Sequence, residues 1–91
     1  MNLAWTRRSQ KDIERLWEFI AESDPKIADK VVAALVSAPS RLLEFPRLGE
    51  RLDAYSPREV RRLIISEYEI RYEIKVGVLI ILQVWHTRED R

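Results

Sequence analysis

A single histidine, His86, stands two residues before Arg88, close to the C-terminal end. Histidine gains or loses a proton near neutral pH, so this pair could move a proton at a charged site. Upstream, Tyr68-Glu69-Ile70-Arg71-Tyr72-Glu73 places carboxylates and an arginine at alternate positions, and Arg61-Arg62 precedes them. Carboxylate, imidazole and guanidinium groups are the residue types that general acid–base chemistry uses. Each also has a plainer reading. His86 would close a strand by hydrogen bonding to Asp90 or to backbone. Glu69 and Glu73 would be ion-pair partners of Arg71 and Lys75, as charged neighbours on a solvated face commonly are. The chain has no cysteine, so neither a thiolate nucleophile nor a thiolate metal site is available. No metal and no cofactor are expected.

The elements that would carry these residues can be read from periodicity. A short strand is expected at Leu3 to Thr6. Ser9 is a candidate helix N-cap, with Asp12 three residues on in a short capping box. Ile13, Leu16, Trp17 and Ile20 follow at the spacing of one buried helix face, which predicts a helix from Gln10 to Glu22. Asp24 can cap a second helix, and Pro25 suits its first turn because the missing N–H costs nothing there. Ile27, Val31, Leu35, Ala38 and Leu42 are its expected buried stripe. Pro39 should split or kink it near Ser37. The loop from Glu50 to Pro57 is polar and expected to be mobile.

The last third reads as an antiparallel sheet. Val60 to Ile65 is one strand. From Tyr68 to Lys75 apolar and charged residues alternate, so Tyr68, Ile70, Tyr72 and Ile74 face one way and Glu69, Arg71, Glu73 and Lys75 the other. Val78 to Trp85 is apolar on both faces, as a central strand would be. A two-residue turn at Ser66-Glu67 sets Ile65 opposite Tyr68, Leu63 opposite Ile70 and Arg62 opposite Arg71. Leu63, Ile65, Tyr68, Ile70 and Tyr72 then lie under the helices. Arg62, Glu69, Arg71 and Glu73 lie on an open face. A regular hairpin at Val76-Gly77 adds Ile80, Leu82, Val84 and His86 to that open face. Trp17 and Trp85 are expected in the core, and Trp5 in the core or at a contact. Like charges directly opposite repel, so Arg62 and Arg71 need Glu69, Glu73 or a partner's carboxylate between them. An apolar stripe flanked by charge is the pattern of a partner-binding groove. The alternative is that the Glu50–Pro57 loop or the C-terminus covers it.

Length and charge narrow the functional classes. Ninety-one residues suit one domain, and 46% hydrophobic with 34% charged residues is a globular balance. The formal net charge is only +1. A free-standing nucleic-acid binder usually carries more, because phosphate contacts supply most of its affinity. No direct DNA binding is therefore expected. No signal peptide is visible at Met1 to Trp5, and the apolar run Val76–Leu82 is too short to span a bilayer. With the absence of cysteine, this points to a reducing, cytoplasmic compartment and to no membrane partner. Basic charge gathers between Arg47 and Arg62, where five arginines face three acids.

In order along the chain come a short strand, a helical hairpin, Phe45-Pro46-x-x-Gly49, an arginine-rich strand and Tyr68-x-Ile70-x-Tyr72. The last strand ends Val84-Trp85-His86-Thr87-Arg88-Glu89-Asp90. This order resembles the RelE/ParE toxins of type II toxin–antitoxin systems over nearly the whole chain, and it is closer to ParE. The resemblance implies an α+β fold, with an N-terminal strand and a helical hairpin packed on an antiparallel sheet, in a single domain spanning residues 1–91. It also implies a cognate antitoxin whose C-terminal segment wraps and masks the toxin. Arg62, Glu69, Arg71, Glu73, Ile80, Leu82 and Val84 are the residues expected to meet it.

The superfamily divides by target. RelE-like members enter the ribosome and cut mRNA, whereas ParE-like members bind and poison DNA gyrase. RelE-like nucleases share a basic pair on the first sheet strand, an arginine just after the first tyrosine of the next, and a basic, tyrosine-bearing end. Here Arg62 fits one basic position but Val60 occupies the other, Glu69 stands where the arginine would be, and no late tyrosine is present. A nuclease built from this chain would need Glu69 as base, Arg62, Arg71 and Arg88 at the phosphate, and His86 as acid. A carboxylate in place of a cation weakens that site, so gyrase is the expected target and no catalytic residue is favoured. The target would be met by Arg58, Arg61, Arg62, Trp85, His86 and Arg88. A third reading is a binding module that kept the fold without being toxic.

Overall fold

The alternation in Tyr68-Glu69-Ile70-Arg71-Tyr72-Glu73-Ile74-Lys75 builds the central part of a five-stranded sheet. The computed structural model describes residues 1–89. Strand β1 (Asn2–Trp5) is followed by α1 (Arg7–Ala21), α2 (Pro25–Ser37) and α3 (Pro39–Glu44). Then come β2 (Glu50–Arg51), a 3-10 turn (Asp53–Tyr55), β3 (Glu59–Ile65), β4 (Tyr68–Lys75) and β5 (Val78–His86). The sheet order is β1-β5-β4-β3-β2. All neighbours are antiparallel except β1, which runs parallel to β5. The parallel pairing is possible because β1 and β5 are far apart along the chain, with three α-helices and three strands between them. None of the described helices is long and apolar enough to cross a membrane.

Local chemistry explains the helix limits, with one correction. Helix α1 starts at Arg7, three residues before the expected start. Its N-cap is Thr6, whose Oγ1 accepts from the Ser9 N–H, while the Ser9 hydroxyl donates back to the Thr6 carbonyl at 2.8 Å. Ser9 thus sits at the third helical position, with its hydroxyl bonded back to the Thr6 carbonyl, rather than serving as the cap itself. Asp24 caps α2 as expected, accepting from the N–H groups of Lys26 and Ile27. Pro39 breaks the helical run after Ser37, and α3 begins there. Two residues expected in the buried stripes are outside them. Trp17 is 38% exposed and donates its indole N–H to Asp29, and Ile27 is 51% exposed at the start of α2. Ala28 is buried in place of Ile27.

The core joins Leu16, Leu35 and Leu42 of the helices to Ile70, Tyr72, Leu79, Ile81 and Val84 of the sheet. Full burial of an aliphatic side chain of this size contributes about 1.5–3 kcal/mol. The exit from α3 is pinned by one buried phenol. Tyr72 Oη accepts from the Gly49 N–H at 2.9 Å and donates to the Pro46 carbonyl at 2.7 Å. Gly49 has no room for a side chain, since a Cβ there would lie 2.5 Å from the Arg62 carbonyl oxygen and 2.8 Å from the phenol.

The β3–β4 register is the expected one, with Ile65 opposite Tyr68, Leu63 opposite Ile70 and Arg62 opposite Arg71. The β4–β5 register departs from expectation. It begins regularly, with Lys75 opposite Val78 and Glu73 opposite Ile80, then shifts by one residue. Tyr72 is opposite Ile81 but Arg71 is opposite Gln83, so Leu82 is an extra, bulged residue. Beyond the bulge every side chain changes face. Val84 now lies opposite Ile70, is fully buried and belongs to the helix-side core. His86 lies opposite Tyr68, also on the helix side. Trp85 lies opposite Glu69 on the open face. The expectation of Val84 and His86 on the open face is therefore reversed, while Trp85 is buried as expected, on the open face of the sheet.

Candidate functional site

On the open face, β3 and β4 bring together the charged residues singled out from the sequence. Arg62 and Arg71 stand directly opposite each other, and Glu69 lies between them, 2.8 Å from Arg71 and 3.9 Å from Arg62. Arg62 also pairs with Glu50 across the β2–β3 ladder at 2.7 Å. Arg58 meets Glu73 through two parallel bonds of 3.0 and 2.8 Å. That fork holds the Glu73 carboxyl below the usual carboxylate range, against the opposing effect of its burial. In the same way Arg61, with Arg47, lowers Glu59.

The Glu50–Pro57 loop is built into this network rather than standing apart from it. Its 3-10 turn brings Tyr55 over β4, where the phenol accepts from Arg71 at 2.9 Å and the ring lies 5.7 Å from the guanidiniums of both Arg58 and Arg71. Arg71 also lies 4.6 Å from the Trp85 ring. Arg71 is therefore in contact with two aromatic side chains, with Glu69 and the Tyr55 hydroxyl taking its Nη groups. Glu69 and Glu73 are both nearly buried beneath these contacts. Around the network Ile80 and Leu82 are half-buried, and Ile64 is half exposed. Tyr55 was not singled out from the sequence. An isolated aromatic in a polar loop, three residues before Arg58, is the signal that could have marked it.

The helix side of the same strands holds a different group. His86 Nδ1 accepts from the Arg88 N–H at 3.0 Å, its Nε2 is 3.6 Å from Glu67, and its ring meets Tyr68 edge-on at 5.1 Å. Arg15 of α1 pairs with Glu89, whose other oxygen accepts from the His86 N–H at 2.8 Å. Arg15, Leu16, Phe19, Tyr68, His86 and Arg88 line a cleft of about 550 Å³ here. Burial, with Glu67 and Glu89 nearby, pushes the Tyr68 phenol up. Asp90, the alternative partner expected for His86, lies outside the described residues.

The sequence-predicted site residues thus fall into two sets. Arg58, Arg62, Glu69, Arg71, Glu73, Ile80 and Trp85 share the open face, and Leu82 is the bulge beside them. His86 and Val84 lie on the helix side, the latter inside the core. Arg61 also faces away from the network, with its guanidinium donating to the Gly49 carbonyl at 2.7 Å. Arg88 is exposed at the end of β5. Among the described residues, no group of three histidine, cysteine or acidic side chains could hold a metal ion.

The fold has a solved counterpart. A chain from a chromosomal ParDE toxin–antitoxin system of P. aeruginosa superposes with a TM-score of 0.78 at 22% identity, covering 94% of this chain and 95% of that one. Sequence relatives cover nearly the same length. Toxin RelE2 of Caulobacter vibrioides is 29% identical over 85 residues, 93% of each chain. The putative toxin Y4kP of Sinorhizobium fredii is 31% identical over 90 residues, 97% of this chain and 90% of that one. Toxin RelE1 of Caulobacter vibrioides is 27% identical over 84 residues, 92% of this chain and 90% of that one. The family model described as the ParE toxin of the type II toxin–antitoxin system parDE matches residues 3–91. The chain belongs to the ParE toxin family of type II toxin–antitoxin systems.

Proposed function

We propose that this toxin is held silent by a cognate antitoxin and, when freed, acts by binding DNA gyrase rather than by cutting mRNA. Either target would place it in the cytoplasm. The observation that carries the choice is the separation of Glu69 from His86. A nuclease would aim base, acid and cations at one phosphodiester. Here Glu69 and His86 project from opposite faces of the sheet, and the arginines beside Glu69 already hold carboxylates. A surface of paired charges and aromatic rings suits recognition, in which many modest contacts add up. Arg58, Arg62 and Arg88 are the residues of the expected target surface that remain accessible. The antitoxin is assigned to the open face around Ile80, Leu82 and Arg62.

A ribosome-dependent mRNA endoribonuclease is the second reading, favoured by the two relatives named RelE. Induction of the chain without its antitoxin separates the readings. Growth should stop, gyrase cleavage complexes should accumulate and transcripts should remain intact on primer extension. Antitoxin co-expression should restore growth. Codon-spaced mRNA cuts would establish the nuclease instead. Undisturbed growth with soluble protein present would favour a non-toxic binding module.

A further inference from the structure

Strand β1 stops at Trp5, opposite Ile81, and leaves the outer edge of the rest of β5 without a neighbouring strand. Unpaired backbone groups on such an edge need partners. Side chains supply them. The Thr6 hydroxyl donates to the Leu82 carbonyl at 3.0 Å. The Val84 N–H donates to Asp12 Oδ2 at 2.9 Å, and Arg15 donates to the Val84 carbonyl at 3.3 Å. Asp12 is nearly buried and is itself held by Arg15 at 3.3 Å and Arg8 at 3.5 Å.

These contacts coincide with the change of register. Up to Ile81, odd-numbered residues of β5 turn their backbone groups to the outer edge, as the Thr6 N–H bond to the Ile81 carbonyl shows. From Leu82 onward the even-numbered residues do so. A strand without the bulge would set Arg71 opposite Leu82 and Glu69 opposite Val84, and would turn the Val84 N–H inward to β4. The apolar side chains of β5 do not choose between these registers, and only Gln83, which the bulge turns from the helix side to the open face opposite Arg71, favours the bulged one. The buried carboxylate of Asp12 does choose, since it requires the Val84 N–H on the outer edge.

We infer that Asp12 is a positioning residue: it holds the β5 bulge and thereby places Trp85 beneath Arg71 on the opposite face of the sheet. The first turns of the helix so determine how the charged open face is assembled. This holds whichever target the toxin takes, because it concerns how the surface is built.

The test follows the Trp85 indole N–H resonance by NMR in the full chain, assigned with Trp85→Phe. In the unsubstituted protein Arg71→Met should shift that resonance. Asp12→Ala should shift it from across the sheet, and adding Arg71→Met should then change it little further. Leu16→Ala, a core truncation that leaves the bulge contacts in place, should lower Tm while keeping the resonance and its response to Arg71→Met. Asp12→Asn keeps an oxygen facing Val84 and should hold the resonance. If Asp12→Ala fails to fold, Asp12→Ser provides the reading. Its hydroxyl is too short to reach the Val84 N–H, so it too should shift Trp85. An unmoved Trp85 resonance in Asp12→Ala, or in Asp12→Ser where that is the variant read, would overturn the assignment. So would an Arg71→Met response equal to that in the Leu16→Ala background.

Discussion

The guanidinium of Arg71 lies 4.6 Å from the Trp85 ring, on the face of the sheet away from the helices. This contact, the Tyr55 ring and Glu69 together allow Arg71 to stand directly opposite Arg62. A cation over an indole contributes about 0.5–2 kcal/mol, and truncating a buried tryptophan to alanine costs about 3–5 kcal/mol. Trp85→Phe should therefore cost about 1 kcal/mol in denaturant unfolding, and Trp85→Ala several times that. Equal losses would show that a phenyl ring recovers nothing and that the site depends on the indole itself.

Tyr72 and Gly49 form one unit. Tyr72→Phe removes the acceptor of the Gly49 N–H and should cost about 1–3 kcal/mol, the range for a buried donor left without a partner. Gly49→Ala would press a Cβ against the Arg62 carbonyl, and should cost at least about 1–3 kcal/mol as an overpacked site. Chemical denaturation of both variants checks this. A neutral Gly49→Ala would mean that the β2–β3 corner yields easily.

Acid should weaken the fold through Glu73 and Glu59. Both carboxyls are held below their ordinary values, Glu73 by Arg58 and Glu59 by Arg61. The sign for a lowered carboxyl is that its stabilisation is fully present above the unfolded-state pKa and is lost as pH falls through the folded-state value. Tm should thus hold near neutrality and fall below about pH 4, the ordinary carboxylate range. Glu73→Gln should lower Tm at neutral pH and make its decline in acid shallower. An unchanged acid profile in Glu73→Gln would assign the acid loss to other groups.

Leu82 has no partner on β4 and lies outside the buried core. Leu82→Glu should leave the circular dichroism spectrum unchanged and weaken antitoxin binding by about 2 kcal/mol or more, the scale of an interface anchor. An unfolded variant would place Leu82 in the structural core. A folded variant with full affinity would move the antitoxin to another surface.

Much of this arrangement was legible in the residues. Alternation from Tyr68 to Lys75 and the tight turn at Ser66-Glu67 were enough to align β3 with β4 residue by residue. Asp24, Pro25 and Pro39 marked the second helix and its break through capping and ring chemistry. The placement of Val84, Trp85 and His86 was not legible, because β5 is apolar on both faces apart from Gln83 and a single bulge exchanges them. Gln83 was the one local sign of the bulge, and the contacts that hold it lie far away in sequence, at Thr6 and Asp12. The role of Tyr55 was hidden for a similar reason, since nothing local shows that its loop folds onto Arg71. Trp17 and Ile27 fit a buried helical stripe by spacing, but the hairpin closes on Ala28 and leaves them outside.

The proposed function requires that toxicity come from binding and not from an acid–base pair. Killing by His86→Gln and by Glu69→Gln, each induced without antitoxin and matched for soluble toxin, separates the two. A general acid or base contributes on the order of 10²–10⁴ in rate. If the toxin acts by binding, both variants should kill within a few-fold of the unsubstituted chain, and gyrase cleavage complexes should still accumulate. Loss of killing in either folded variant, together with loss of codon-spaced mRNA cuts, would contradict the account and establish a ribonuclease.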